Sequence, residues 1–228
     1  MVCLQGIAST WMEANEIKLS TLVISVLGIA AIELAARVLI SRKILAPMSG
    51  VGLARVAEIF FLLALIKFRE KRFSIIGLAS TTVYKGFKRG LIWSISFGAG
   101  AAIVLFIIYL AGIKISALFG MRLPTESSRL IAFLLAGLLV GPIAEEIFFR
   151  GILYGFFRKW GIPAAVILST LLFVLPHSHT SGLAIPVTQF IGGILFAVAY
   201  EIEKNLLVPI TIHSLGNLAI FTLGLLTI

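Results

Sequence analysis

The sequence contains no aspartate and only one cysteine. All ten acidic residues are glutamates, and Cys3 stands alone near the N-terminus. The missing aspartate excludes aspartyl dyads and a Ser-His-Asp triad, and the single cysteine excludes a disulfide framework or a cysteine-rich metal site. The HExxH metal-binding motif and the GxSG element of intramembrane serine proteases are also missing.

Few residues are charged, and most of the charged residues are basic. Of 228 residues, 13% are charged and 60% are hydrophobic, and the mean hydropathy is +1.11. An ordinary soluble domain is about half apolar and about a quarter charged. The composition therefore predicts an integral membrane protein. In such a chain we assign the net charge of +9 to cytoplasmic loops and lipid headgroups, not to nucleic acid.

The apolar runs predict an all-α, polytopic helix bundle. We predict seven spans, or eight, within a single membrane domain covering residues 1–228, because a span needs about 20 apolar residues. Residues 73–90 mix apolar and basic side chains, which is typical of an amphipathic helix lying at the interface. Residues 1–16 do not resemble a secretory signal, so we expect the first span to stay attached. The runs cover about 18–40, 45–67, 91–112, 128–157, 162–176, 184–200 and 205–226.

The densest basic cluster gives the expected orientation. Basic residues concentrate in cytoplasmic loops, so this cluster predicts a cytoplasmic N-terminus and places Arg42 and Lys43 on the opposite side. We interpret the cluster as a topology signal more than as a binding site for anionic lipid or an acidic partner. Its members are Lys67, Arg69, Lys71, Arg72, Lys85, Lys88 and Arg89.

Two sets of ionisable residues lie in the N-terminal spans. Glu33 stands four residues before Arg37, and Arg55 stands three before Glu58. Residues at these spacings are neighbours on a helix. Each acid therefore has a local partner that can neutralise it, and we interpret both pairs as structural.

The fourth run contains an acid without such a partner. Its sequence includes Glu145, Glu146 and Arg150 within one apolar helix. Arg150 shares a face with Glu146, whereas Glu145 points about 100° away. Glu145 is therefore predicted to be a nearly buried carboxylate that needs polar groups from another helix. Pro142 should loosen the helix just upstream.

Three further polar side chains occur in or near later spans. His177 ends a short run, four residues after Phe173, and His213 stands four residues before Asn217 in the last run. Polar pairs on one helix face are also common as interhelical hydrogen bonds. Beside an unpaired Glu145, however, these residues become candidates for a shared site. His179 is interpreted as a loop residue.

These side chains can supply the roles needed to attack a carbonyl. Glu145 can act as a general base on water, and His177 can position that water. His213 and Asn217 can donate hydrogen bonds to an oxyanion. Zinc bound by Glu145, His177 and His213 is an alternative.

The ordered motifs resemble a known family. Glu145-Glu146-x-x-x-Arg150, Phe173-x-x-x-His177 and His213-x-x-x-Asn217 look like the three motifs of the CAAX prenyl endopeptidase and bacteriocin-processing (CPBP, or ABI) family of intramembrane proteases. The resemblance covers residues 128–226. It implies a polar catalytic cavity inside the bundle, with Glu145 as the catalytic glutamate and His177, His213 and Asn217 as its partners. Glu146, Arg150 and Phe173 would support them.

The resemblance also implies an activity and substrate classes. The expected enzyme is a CAAX prenyl protease-like intramembrane endopeptidase that uses glutamate-activated water without a cofactor, although zinc stays open. Its substrate would be the C-terminus of a prenylated protein or a small peptide precursor. The alternative is a non-catalytic immunity or binding protein of the membrane. A proton-coupled transporter is disfavoured, because no inverted repeat is visible.

Overall fold

Seven helices account for most of the described chain. The computed structural model describes residues 17–113, 123–180 and 186–226, so Cys3 lies outside the described residues. Within these ranges no β-strand occurs. The seven predicted runs are all helical, and the all-α class is confirmed. The helices are α1 (Leu19–Ser41), α2 (Pro47–Arg69), α3 (Val83–Leu110), α4 (Ser127–Trp160), α5 (Ile162–Val174), α6 (Val187–Glu203) and α7 (Leu207–Leu226).

The lengths and compositions of these helices support a multi-pass integral membrane protein. Four helical segments are long and apolar enough to cross a bilayer: α1, α3 with the two turns before it, α4 and α7. Helix α2 carries more charge, and α5 and α6 are shorter, with 13 and 17 residues. The predicted helical bundle is thus present, while the number of seven to eight crossings stays a prediction, as does the single domain.

The expected interfacial helix over residues 73–90 does not form as a separate element. The structure has two 3-10 turns, Phe73–Ile76 and Ser80–Thr82, followed directly by α3. Helix α3 has 28 residues, or about 42 Å, against a hydrocarbon core of about 30 Å. The basic segment is therefore the overhanging start of a long helix. Its charges fit there because an overhang reaches the headgroup region.

The core lies between α2, α4, α6 and the start of α7. Leu62, Ile66, Ile152 and Leu206 are fully buried in it. In contrast, α3 carries large apolar side chains that point outward, such as Ile95 and Phe106. Exposed apolar side chains in a chain of this composition face lipid, so the bundle's outer surface is as apolar as its interior.

Gly77 follows the first 3-10 turn and packs against the turn between α6 and α7. Its φ of 72° is in the left-handed region, which costs glycine little. A Cβ at this position would stand 2.8 Å from the Lys204 carbonyl oxygen. The Gly77 carbonyl accepts a hydrogen bond of 3.2 Å from the Leu206 N–H. Close backbone contact therefore fixes the segment before α3 against the start of α7.

Carboxylates join the helices at this same end of the bundle. Glu203 of α6 accepts hydrogen bonds from Arg89 and from Trp93 Nε1, the latter at 2.9 Å. Glu201 accepts hydrogen bonds from the Tyr154 hydroxyl at 2.6 Å and from Arg158 Nη2 at 2.9 Å. The C-terminal end of α6 thus links α3 and α4. The site described below lies further along these helices.

Candidate active site

A buried ionic cluster occupies the middle of α4. The guanidinium of Arg150 donates to Glu146 Oε1 at 3.0 Å, and both side chains have no exposed surface. The same carboxylate oxygen accepts a hydrogen bond of 2.9 Å from His213 Nδ1 of α7. The predicted pairing of Arg150 with Glu146 is confirmed. The contact between Glu146 and His213 also joins two of the predicted motifs directly.

Glu145 lies beside this cluster without joining the Arg150 pair. Its carboxylate keeps 18% of its surface exposed, and its Oε2 stands 3.8 Å from His213 Nε2. Its charge also acts at longer range on Arg55 and Glu58 of α2. The His213 ring therefore lies between two carboxylates. Nδ1 faces Glu146, and Nε2 faces Glu145.

Arg150 also fixes the helices that carry the later motifs. Its Nη2 donates to the Gly193 carbonyl of α6 at 3.0 Å. Its guanidinium lies 4.6 Å from the ring centroid of Phe173 and 5.2 Å from that of Phe196. Aromatic faces attract a cation, and the attraction grows where water is excluded. One arginine thus holds α4, α5 and α6 together around the glutamates.

His177 reaches the cluster through Phe173. Its Nδ1 donates to the Phe173 carbonyl at 2.8 Å. A carbonyl oxygen only accepts, so Nδ1 carries a proton, and in the neutral ring Nε2 is then an acceptor. The Phe173 ring centroid lies 5.0 Å from that of His177 and 5.7 Å from that of His213. The two imidazoles therefore contact one buried aromatic ring.

Asn217 lies against an irregular turn of α4. Residues 136–140 form a π-helix, in which the Gly141 N–H bonds to the Ala136 carbonyl. Pro142 has no N–H to offer, so neither residue bonds to the Gly137 carbonyl. Asn217 Nδ2 donates to that carbonyl at 2.8 Å. Pro142 does loosen the helix as predicted, and the freed carbonyl takes its hydrogen bond from the third motif.

The intramembrane pairs in the N-terminal helices differ from the prediction. Arg55 does contact Glu58, at 2.6 Å, but it also contacts Glu33 of α1 at 3.2 Å. The predicted Glu33–Arg37 pair is not among the ion pairs of the described residues. Glu33 and Arg55 share an interhelical contact because α1 and α2 pack side by side. Sequence spacing predicts a possible ion-pair partner for Glu33, but the packing of α1 against α2 determines which arginine it contacts.

The described donor residues bear on the zinc alternative. In the described ranges, no three side chains of the His, Cys, Asp or Glu type come together in a way that could hold a metal ion. Glu145 Oε2 and His213 Nε2 do approach each other, at 3.8 Å. This arrangement does not fit a three-ligand zinc site. No step proposed below goes through a metal.

Several contacts of the site could not be anticipated from the sequence. Phe196 stacks on His213 with ring centroids 4.7 Å apart, and Gly193 supplies a carbonyl to Arg150. Both belong to α6, which contains none of the predicted motif residues. A phenylalanine or a glycine in an apolar helix carries no signal of its own. Only the Gly192–Gly193 pair, which allows close helix packing, hinted at this role.

Comparisons with known proteins find similarity in the C-terminal half of the chain. Residues 127–219 match the family model described as type II CAAX prenyl endopeptidase Rce1-like. This segment includes all the predicted site residues. No solved structure matches the chain.

Three curated relatives cover parts of the chain. The putative membrane peptidase YdiL of Bacillus subtilis is 29% identical over 56% of this chain and 53% of its own length. The membrane-embedded CAAX protease MroQ of Staphylococcus aureus is 36% identical over 35% of this chain and 34% of its own. An uncharacterized 24.3 kDa protein of Escherichia coli is 33% identical over 42% and 44%. The chain thus spans about half, or less, of the length of each of these relatives. Over residues 127–219 the chain is similar to the type II CAAX prenyl endopeptidases, and the resemblance drawn from the three motifs is confirmed.

Proposed function

We propose that this protein is an intramembrane endopeptidase that hydrolyses a peptide bond with water activated by Glu145. The observation that carries the proposal is the separation of roles between two adjacent carboxylates. Glu146 is bound by Arg150 and His213, whereas Glu145 is partly exposed and lies outside the Arg150 pair. A general base needs a carboxylate that can reach water.

In our proposal the other motif side chains carry out the remaining steps. Water held near Nε2 of His177 gives a proton to Glu145 and adds to the scissile carbonyl. The resulting oxyanion accepts hydrogen bonds from Asn217, which has a second amide N–H, and from the His213 ring when its Nε2 is protonated. As the tetrahedral intermediate collapses, the C–N bond breaks, and the proton on Glu145 passes to the leaving amine.

The substrate belongs, in our proposal, to one of two classes. The Staphylococcus aureus relative is named a CAAX protease and the Bacillus subtilis relative a putative membrane peptidase. The first name favours the C-terminus of a prenylated protein, and the second is compatible with a small peptide precursor. Both kinds of substrate can approach a site that is buried among membrane helices.

The test compares wild-type protein with Glu145→Gln on a panel of prenylated C-terminal peptides and peptide precursors. We expect the variant to lose about 10²- to 10⁴-fold in cleavage rate, the usual contribution of a general base. Glu126→Gln is the matched control, because Glu126 is 56% exposed and contacts Arg129 and Ser128 at the start of α4. It should cleave like wild type.

Each assay is run with and without a chelator. Cleavage that is lost in Glu145→Gln and unaffected by chelation supports glutamate-activated water. Loss on chelation that zinc restores would make Glu145 and the histidines metal ligands instead. Equal cleavage by folded wild type and Glu145→Gln would contradict the proposal.

A further inference from the structure

A basic recess lies at the end of the bundle, away from Glu145. It is formed by the first turns of α3, the last residues of α6 and the start of α7. Its cavity volume is about 80 Å³. The proposed peptidase mechanism does not use it. Its lining residues are Thr82, Lys85, Gly86, Arg89, Glu203, Lys204, Asn205 and Val208.

The charges in this recess do not balance. Three basic side chains, those of Lys85, Arg89 and Lys204, line the recess together with one carboxylate, that of Glu203. Arg89 already donates to both oxygens of that carboxylate, at 2.9 and 3.0 Å from Nε. Lys204 pairs with Glu201 at 2.7 Å. In the described part of the chain Lys85 has no ion pair. Its charge acts on Glu203 at longer range, and its ammonium group is available to a ligand.

The backbone around the recess adds to the positive potential. Helices α3 and α7 both begin here, and helix N-termini carry positive partial charge. No side chain caps α3 at Thr82, whereas Asn205 Oδ1 accepts the Leu207 N–H at 3.0 Å. Gly86 permits the close approach, since a Cβ there would stand 2.4 Å from Asn205 Oδ1. The helix ends thus reinforce the lysine charge.

The surroundings place this recess at the height of lipid headgroups. The recess borders the part of α3 that overhangs the hydrocarbon core. Tyr84 and Phe87, on the same turns, are 79% and 51% exposed. Exposed aromatic and basic side chains together are typical of a membrane interface. A ligand in the recess would therefore have its polar part beside Lys85 and could keep its apolar part along α3.

Beyond the topology signal assigned to the basic cluster as a whole, we propose that the recess binds the phosphate of an anionic phospholipid headgroup, with Lys85 as its main contact and Arg89 and Lys204 flanking it. Phosphate is the chemistry that lysine and helix N-termini recognise together. A lipid is favoured over free phosphate because the recess opens beside exposed aromatic side chains at the end of a membrane helix. The site is separate from the peptidase cluster and does not depend on it.

The test measures lipid affinity by native mass spectrometry of the delipidated full chain. The probes are dioleoyl phosphatidylglycerol and dioleoyl phosphatidylcholine, which differ in headgroup charge. We expect Lys85→Gln to weaken phosphatidylglycerol binding about fivefold, the effect of one lysine at an anionic surface. Phosphatidylcholine binding should not change, and Lys85→Arg should retain affinity.

Lys88→Gln is the matched control, since Lys88 is an exposed lysine on the same turns that does not line the recess. It should weaken phosphatidylglycerol binding less than twofold. An equal loss in the two variants would overturn the proposal in favour of diffuse surface charge. Wild type without a preference for phosphatidylglycerol would also overturn it. Displacement of the lipid by an equal concentration of inorganic phosphate would show a free-phosphate site instead.

Discussion

The N-terminal and C-terminal halves each contain an arginine among glutamates, and they use it differently. Arg55 of α2 contacts two carboxylates, Glu33 and Glu58, and its side chain is 27% exposed. Arg150 of α4 contacts one, Glu146, and has no exposed surface. In the N-terminal cluster no acid lies outside the arginine's contacts. In the C-terminal cluster Glu145 does, and this leftover carboxylate distinguishes a candidate site from a structural tie.

The second difference is what surrounds each arginine. Arg150 lies over Phe173 and Phe196 and donates to the backbone of α6. Burying two charges costs several kcal/mol per ion and is tolerated only with good geometry and further hydrogen bonds. The C-terminal cluster meets that condition through His213 and Gly193. A buried ion pair between membrane helices therefore indicates a candidate site when the residues around the pair are also held by close, specific contacts.

The largest expected effect comes from removing each arginine in turn. Arg150→Met leaves Glu146 charged and fully buried, so we expect a loss of about 3–5 kcal/mol in unfolding free energy. Arg55→Met also leaves a buried carboxylate, because Glu58 is 2% exposed, but it should cost less, since Arg55 and Glu33 are 27% and 31% exposed. Reversible unfolding in mixed micelles measures both. Equal losses would remove the distinction between the clusters.

A double variant tests the reason for that loss. Adding Glu146→Gln to Arg150→Met removes the stranded charge and should recover part of the stability. The same addition of Glu58→Gln to Arg55→Met should recover less. No recovery in the first pair would mean that Arg150 acts mainly through its contacts with the aromatic rings and with α6.

The next largest expected effect concerns the backbone of α2 and α4, the helices that carry Arg55 and Arg150. Helix α2 is regular, whereas α4 is interrupted by π-turns. A Cβ on Gly141 would stand 2.6 Å from the Ala136 carbonyl oxygen, while one on Gly52 of α2 would meet nothing within 4 Å. We expect Gly141→Ala to destabilise by about 1–3 kcal/mol, as overpacking does.

Gly52→Ala is the control for this change, and it should stabilise α2 by about 0.5–1 kcal/mol through helix propensity. The same unfolding assay reports both variants. If Gly141→Ala proved neutral, the π-turn would not depend on glycine, and the link between the turn and Asn217 would lose its support.

The sequence predicted the parts of the molecule that depend on local spacing. The seven helical runs, the Glu146–Arg150 pair and the effect of Pro142 all follow from periodicity or from one residue's chemistry. The partner of Glu33 and the role of α6 could not follow, because they depend on which helices pack together. The mixture of apolar and basic side chains in residues 73–90 predicts an amphipathic helix. It does not show that the second half of this segment continues into α3.

The candidate site shows the same division. The motifs identified the side chains in order along the chain, and the structure places Glu145 and Glu146 on either side of His213. The contacts of Phe196, Gly193 and Gly137 with motif residues have no pattern of their own. They are backbone carbonyls and an aromatic ring, which only tertiary packing makes relevant.

The smallest expected effect concerns a third ionic contact, at the end of the bundle. The hydrogen bond from Arg89, aided by Trp93 and opposed by burial, holds the pKa of Glu203 below its usual value of 4.5. A lowered pKa stabilises the fold above the unfolded-state value, and the stabilisation is lost as the pH falls through the folded-state value. Replacing Glu203 with glutamine should therefore destabilise the protein at pH 7.

The stability difference between wild type and Glu203→Gln should shrink as the pH falls below 4.5. It should also shrink in high salt, because Arg89 is 45% exposed and exposed pairs are screened. The difference at pH 7 should be smaller than for Arg150→Met, whose partners are completely buried. A difference that is unchanged by pH and salt would mean that Glu203 acts through packing, and the ordering of the three ionic contacts by burial would then fail.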